Sequence, residues 1–223
     1  MAVILSKNYQ GTVEEDFAAS IRAAVAANSR TGNYNFVYIV PTRRRVRELQ
    51  RELVDDLVFG KLPVYTLELY AHEIFSRLND GKRIISPSMQ GMFVSEVISG
   101  GEFRFFKYAS FRAGARKGVA PIGTIKRIVD QIDYLKENGI TPEDYKYLVS
   151  ASDESERPKL EEFVKIYSDY ENSLGREFID SAGVMSHLNS RLAASNEVLG
   201  EIHREKCAFY VEGFYSFKKP ELE

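Results

Sequence analysis

Residues 35–58 read NFVYIVPTRRRVRELQRELVDDLV. Phe36, Val37, Tyr38, Ile39 and Val40 form a short apolar run without polar alternation, rich in β-branched and aromatic residues. Such a run predicts a strand covered on both faces. Pro41 ends it, and Thr42 is a natural helix N-cap. Beyond, Val46, Leu49, Leu53 and Leu57 recur at helical spacing and predict a face turned to a core. Arg43, Arg44 and Arg45 fill the first helical turn, where an exposed cation is unfavourable by about 0.3–1 kcal/mol. At about 100° per residue, Arg43, Arg47, Arg51 and Arg44 fall on one flank. Guanidinium forks beside free backbone N–H groups make an anion site, with phosphate the obvious anion. The plainer alternative is a solvated face whose charge Glu48, Glu52, Asp55 and Asp56 balance.

Working outward, Ala2–Leu5 is an expected strand, followed by a loop and a helix over 13–28 with Phe17, Ile21 and Val25 inward. Residues 30–33 read as a turn. Strand, helix, strand, helix with short loops favours a parallel sheet with right-handed crossovers. Residues 62–66 are a candidate third strand. Residues 67–78 form a helix that Thr66 can cap. After Asp80-Gly81-Lys82 the strand signals vanish for a long stretch, and helices are expected over 86–99, 122–137, 159–174 and 181–194. Asn138-Gly139 is a C-cap, Thr141-Pro142 a further helix start, and 150–158 a polar, acidic connection. Cys207–Val211 is an apolar run of β type. A lone strand needs a partner, and the economical solution returns it to the first sheet. The expected organisation is therefore sheet elements over 1–81, a helical insertion over 82–205, and a returning strand over 206–223.

The bulk composition allows a core, with 44% hydrophobic residues, and the net charge of −2 gives no global basic field. Nucleic-acid binding would have to come from local patches. The single cysteine, Cys207, excludes a disulfide framework within the chain and any multi-cysteine metal site. The N-terminal Met-Ala-Val-Ile-Leu-Ser-Lys lacks the pattern of a signal peptide, and no apolar run approaches membrane-spanning length. A soluble, cytoplasmic protein is expected, with no membrane partner. The ending Lys218-Lys219-Pro220-Glu221-Leu222-Glu223, so soon after an apolar run, suggests a chain cut short, with Leu-Glu a possible cloning scar.

A phosphate loop needs G-x-x-x-x-G-K-[ST]. The corresponding frame is Ser6-Lys7-Asn8-Tyr9-Gln10-Gly11-Thr12-Val13, in which only Gly11 survives. Thr12 replaces the lysine, and Glu14, Glu15 and Asp16 repel a polyphosphate. An ordinary connecting loop is the stronger reading. Phe103–Lys117, FRFFKYASFRAGARK, interleaves aromatics with Arg104, Lys107, Arg112, Arg116 and Lys117, as base-stacking segments do. Packing of the aromatics into a core is the favoured alternative. His72, His187 and His203 lack ligand-spaced partners, so no metal site is expected. No catalytic constellation emerges from spacing. The acid pairs Asp130/Asp133 and Glu161/Glu162 read as solvated helix faces.

The series YIVPTRRRVRELQREL, TLELYAHEIFSRL, LKENGITP, KLEEFVKIYSDYENSL and FYVEGFYSF resembles, in that order, the N-terminal part of the B subunit of AddAB/RexAB-type helicase–nucleases. Each piece is a loose pattern, and their combination carries the resemblance. It implies an α/β fold: a partial RecA-like parallel sheet (P-loop NTPase-like) interrupted by a mainly α-helical insertion, as in domain one of a UvrD-like superfamily 1 helicase. Pro41-Thr42-Arg43 would match the motif that touches single-stranded DNA, and Thr66-Leu67 the next such motif. DNA-binding residues on this reading are Thr42, Arg43, Arg44, Arg47, Arg51 and Thr66. Val211–Phe217 would match the Walker B region, with Glu212 in place of the Mg²⁺-linked Asp and Gly213 in place of the water-activating Glu. Ser6, Lys7, Gly11, Thr12 and Glu212 would form a degenerate nucleotide site, so catalytic residues and a retained ATP/Mg cofactor are not expected.

The implied function is a DNA-holding scaffold, gripping a single strand or duplex end beside a motor subunit, within a double-strand-break-processing exonuclease. Two alternatives stay open. One is an active ATPase with an unorthodox phosphate loop using Lys7. The other is a protein-interaction scaffold that docks a partner through the helical block.

Overall fold

The computed structural model describes residues 22–27, 34–53, 62–78, 81–106, 120–204 and 208–222. The expected strand 2–5, the turn 30–33, Leu57, and most of the 13–28 helix lie outside them, although residues 22–27 are helical. The chain divides into two compact units. One contains the described residues up to Tyr70 together with Leu199–Tyr215, the other Ala71–Val198 and Ser216 onwards.

The first unit is built on β1 (Phe36–Ile39), whose four residues are all buried. With both faces covered, an uninterrupted apolar run is the pattern that such a strand requires. β1 is the middle of three parallel strands, between β2 (Val64–Tyr65) and β5 (Ala208–Val211). Tyr38 pairs with Val64 on one side and Tyr210 on the other. Tyr38 N donates to Pro63 O at 2.8 Å, and Glu212 N to Ile39 O at 3.1 Å. The helix α1 (Arg43–Leu53) buries Val46 and Leu49. They join Phe36, Tyr38, Val40, Leu62 and Val64 in one core. α2 (Leu67–Leu78) follows β2, with Leu69 N donating to Thr66 Oγ1 at 3.2 Å.

The second unit is mainly helical: α3 (Pro87–Gly100), α4 (Ile122–Glu137), α5 (Pro142–Ser150), α6 (Arg157–Leu174), a 3-10 turn at Ser181–Gly183, and α7 (Val184–Ala194). Ile98, Ile132, Ile166 and Tyr170 are wholly inaccessible within its core. α4 ends as its sequence predicts. Gly139 has φ 67°, Ile140 N donates to Leu135 O and Gly139 N to Lys136 O, both at 2.9 Å. That is a Schellman closure, which a glycine at this left-handed position permits. Thr141 and Asp144 form a reciprocal capping box at the start of α5, and the Thr141 N–H and hydroxyl, both donating to the Asp144 carboxylate, hold that carboxyl below the usual aspartate range. Asp180 caps the 3-10 turn through Gly183 N at 2.7 Å.

The expectation of a strand-free stretch after Lys82 is corrected. β3 (Arg83–Ile84) and β4 (Phe178–Ile179) form a parallel ladder of their own. Arg83 N donates to Glu177 O and Ile85 N to Ile179 O, both at 2.8 Å. Strands this short have no periodicity to read. Two helices absent from the expectation, α8 (Glu197–Arg204) and α9 (Lys219–Leu222), are likewise present. Asn189 Nδ2 on α7 donates to Pro220 O at 2.6 Å.

Two acids read as solvated prove to be engaged. The Glu162 carboxylate accepts from Arg104 N at 2.7 Å and Phe105 N at 2.9 Å. Asp133 accepts from Gln90 Nε2 at 2.6 Å. Burial pushes the Asp133 carboxyl up, against the Gln90 hydrogen bond, while Asp180 and Glu137 raise it further and Lys136 opposes them. A carboxyl with a raised folded pKa contributes most stability below its unfolded value of about 3.9. That stability is lost as the pH rises through the folded pKa. Asp133→Asn keeps an acceptor for Gln90 without the ionisation. It is expected to melt higher than wild type at neutral pH and equally near about pH 3, below the unfolded value, when thermal unfolding is followed by circular dichroism. A lower melting point at neutral pH would refute this.

Candidate nucleic-acid interface

Parallel strands send their carboxyl ends to the same edge of a sheet, and ligands of open α/β sheets gather outside that edge. Here β1 delivers Pro41–Arg45, β2 delivers Thr66–Glu68, and β5 delivers Glu212–Tyr215. The last loop turns at Gly213, with φ 77°, against Pro41: a Cβ on Gly213 would meet the proline ring at 3.6 Å.

Thr42 begins α1 as its residue type predicts, with Arg45 N donating to Thr42 Oγ1 at 3.2 Å. Thr42→Ala removes that acceptor and is expected to cost about 1 kcal/mol of stability, measured by urea unfolding. A Thr42→Ser variant should recover most of it. Thr66 performs the same service for α2, and it is buried.

The arginines differ in what they meet. Arg43 lies 3.5 Å from Glu68, with 64% of its side chain exposed. Arg44 Nε donates to Glu48 Oε1 at 2.8 Å and is 88% exposed. This hydrogen bond holds the Glu48 carboxyl below, and the Arg44 guanidinium above, their usual values. Arg47 Nε donates back to Arg43 O at 3.3 Å. Arg47 and Arg51 are exposed. Exposed pairs of this kind are worth about 0–1 kcal/mol, so a phosphate can displace the carboxylates from Arg43 and Arg44. The pairs soften the dipole conflict at the helix start without removing these cations from solvent.

Arg45 is different. Only 32% of its side chain is exposed. Its Nε and Nη2 donate to Glu212 Oε1 at 3.2 and 3.0 Å. Its Nη1 donates to Glu52 Oε1 at 3.3 Å and lies 3.8 Å from Glu48. Glu212 also accepts from the buried Tyr38 hydroxyl. Burial, then this hydrogen bond, push the Tyr38 phenol far above its ordinary range. The carboxylate at the end of β5 is thus held by a guanidinium and a phenol. Sequence reasoning assigned Glu212 to a degenerate nucleotide site and left Arg45 without a role. No local spacing signals this pair.

Of the remaining residues of that degenerate site, Ser6, Lys7, Gly11 and Thr12 lie outside the described residues, as do 107–117 of the aromatic-basic segment. In its described part, Phe103 and Phe106 are buried in the helical core, while Phe105 is 44% exposed beneath the Arg104 guanidinium at 5.7 Å. His72 Nε2 lies 3.0 Å from Ser181 Oγ, and the His187 ring packs edge-on to Phe75. Among the described residues no group of three or more His, Cys, Asp or Glu is placed to hold a metal. No described helix is long and apolar enough to cross a membrane.

Over residues 17–223 the chain matches the family model described as "ADDB, N-terminal". No curated protein matches it.

Proposed function

We infer from the AddB N-terminal family, to which this chain belongs, that it is the non-catalytic, helicase-like region of a double-strand-break-processing exonuclease subunit. On this reading it holds DNA by its backbone while a partner subunit supplies ATP-driven movement. The observation that carries the reading is the exposed arginine flank at the carboxyl edge of a parallel sheet. Arg43, Arg44, Arg47 and Arg51 are exposed on α1 and would pair with backbone phosphates. Thr42 and Thr66 fix the two helix starts beside them. Guanidinium–phosphate pairs give affinity and register without base discrimination, as suits a protein that must travel along any sequence.

The state of Glu212 supports the non-hydrolytic part. A carboxylate that anchors Mg²⁺ must direct an oxygen at the metal. Here one oxygen accepts from Arg45 and the other from Tyr38.

The test is a titration of labelled single-stranded oligothymidylate, and separately of a duplex end, at low and moderate salt. Binding should be tight at low salt, weaken steeply as salt rises, and depend little on sequence. Absence of binding at low salt to both probes would sink the reading.

A further inference from the structure

We propose that Arg45 is the positioning residue of this turn. It does not touch the nucleic acid, but ties the start of α1 to the end of β5 and neutralises the carboxylates that face the grip. The proposal rests on the nucleic-acid reading above. Arg43 and Arg44 are largely exposed, Arg43 beside Glu68 and Arg44 beside Glu48. Arg45 is two-thirds covered and reaches Glu48, Glu52 and Glu212. Its contact with Glu212 spans 167 residues of sequence, so it joins two segments that only tertiary structure brings together.

Three features make the arrangement more than a surface ion pair. The guanidinium presents two N–H groups to one carboxylate oxygen, which fixes its plane as a lysine could not. The other oxygen is held by a phenol from inside the sheet, so Glu212 is anchored to the core independently of Arg45. Arg43, Arg44 and Arg45 share this edge with Glu48, Glu52, Glu68 and Glu212. A phosphate approaching Arg43 or Arg44 therefore meets less carboxylate repulsion while Arg45 occupies the acids on its side. Without it, Glu212 and Glu52 lose the guanidinium that Arg45 gives them, Glu48 loses one of its cations, and the first turn of α1 loses its tie to the end of β5.

The experiment uses the full chain and the oligothymidylate titration, read as the slope of log affinity against log salt. Arg43→Ala should lower affinity and flatten the slope by about 0.7, the counterion release of one single-strand phosphate contact. Arg45→Ala should lower affinity roughly tenfold (~1.4 kcal/mol) with the slope unchanged. In an Arg43→Ala/Arg44→Ala background the same change should cost less than about threefold, because Arg45 acts through those side chains. Arg45→Lys should recover only part of the loss. If Arg45→Ala does not fold, Arg45→Gln, which keeps much of the stem and removes the charge, should show the same loss with the slope unchanged.

A slope flattened by Arg45→Ala as much as by Arg43→Ala would make it a direct phosphate ligand and overturn the proposal. So would unchanged affinity, or a full tenfold loss in the double-alanine background. Wild-type protein that does not bind at all would overturn the nucleic-acid reading and this inference together. The other adverse outcomes overturn the inference alone.

Discussion

Replacing Lys136 with alanine is expected to destabilise the helical unit by about 3–5 kcal/mol, the cost of leaving a buried charge without its partner. The Lys136 ammonium is 2.6 Å from Glu171 and 2.7 Å from Asp180, whose side chain is 1% exposed. The same Asp180 oxygen accepts from the Tyr170 hydroxyl at 2.7 Å. Burial alone would lower the Lys136 pKa, but Asp180 and then Glu171 outweigh it and hold the ammonium above its usual value. Burial raises the Glu171 carboxyl in spite of Lys136. In Lys136→Ala, Asp180 keeps its hydrogen bonds from Tyr170 and Gly183 and loses its countercharge. Lys136→Met should cost nearly as much, which separates charge from stem packing, and adding Asp180→Asn should restore part of the loss. Urea unfolding measures all three. A loss below about 1 kcal/mol, the range of exposed pairs, would mean that water reaches this network.

The second large effect is on binding. Replacing Arg43, Arg44, Arg47 and Arg51 together with alanine is expected to flatten the salt slope for single-stranded DNA by about 3, four contacts at roughly 0.7 each. Over a fourfold rise in salt, that corresponds to about fiftyfold less sensitivity. The side chains are exposed, so the fold should survive. Removing Arg43 and Arg44 from the first turn of α1, where the dipole disfavours cations, offsets part of what is lost with the exposed pairs. A slope that does not change would move the phosphate grip elsewhere.

The parts of the fold legible in the sequence are those specified locally. The apolar run 36–40, the Thr42 and Thr66 caps, the spacing of α4 and the Asn138-Gly139 closure each depend on residues within a few positions of one another. What escaped reading is tertiary. β3 and β4 are too short to show a period, and their partners are far apart in the chain. Lys136 meets Asp180 across 44 residues, with no trace in the spacing of either. Asp133 and Glu162 sit among charged neighbours, as solvated acids do, and only packing shows that each is committed to a donor. In the interface, the flank of four arginines follows from helix geometry alone. The distinction between those four and Arg45 depends on Glu212, which no local rule connects to it.

The pairing of β1 with β5 also sets the order of assembly. The Tyr38–Glu212 bond closes a loop of 174 residues, whose entropic cost grows as (3/2)RT ln n and reaches about 4–5 kcal/mol before its constant term. A ladder that closes over such a span is slow to nucleate, whereas helices that meet their sequence neighbours form early. α5 and α6, joined by a short turn, belong to the second kind. While the intervening chain is still unfolded, β1 exposes a fully apolar strand without its partner. Prior collapse of the helical unit shortens the effective loop and shortens that exposure. Destabilising that unit is therefore expected to slow completion of the arginine edge and to raise the share of chain lost to aggregation on the way.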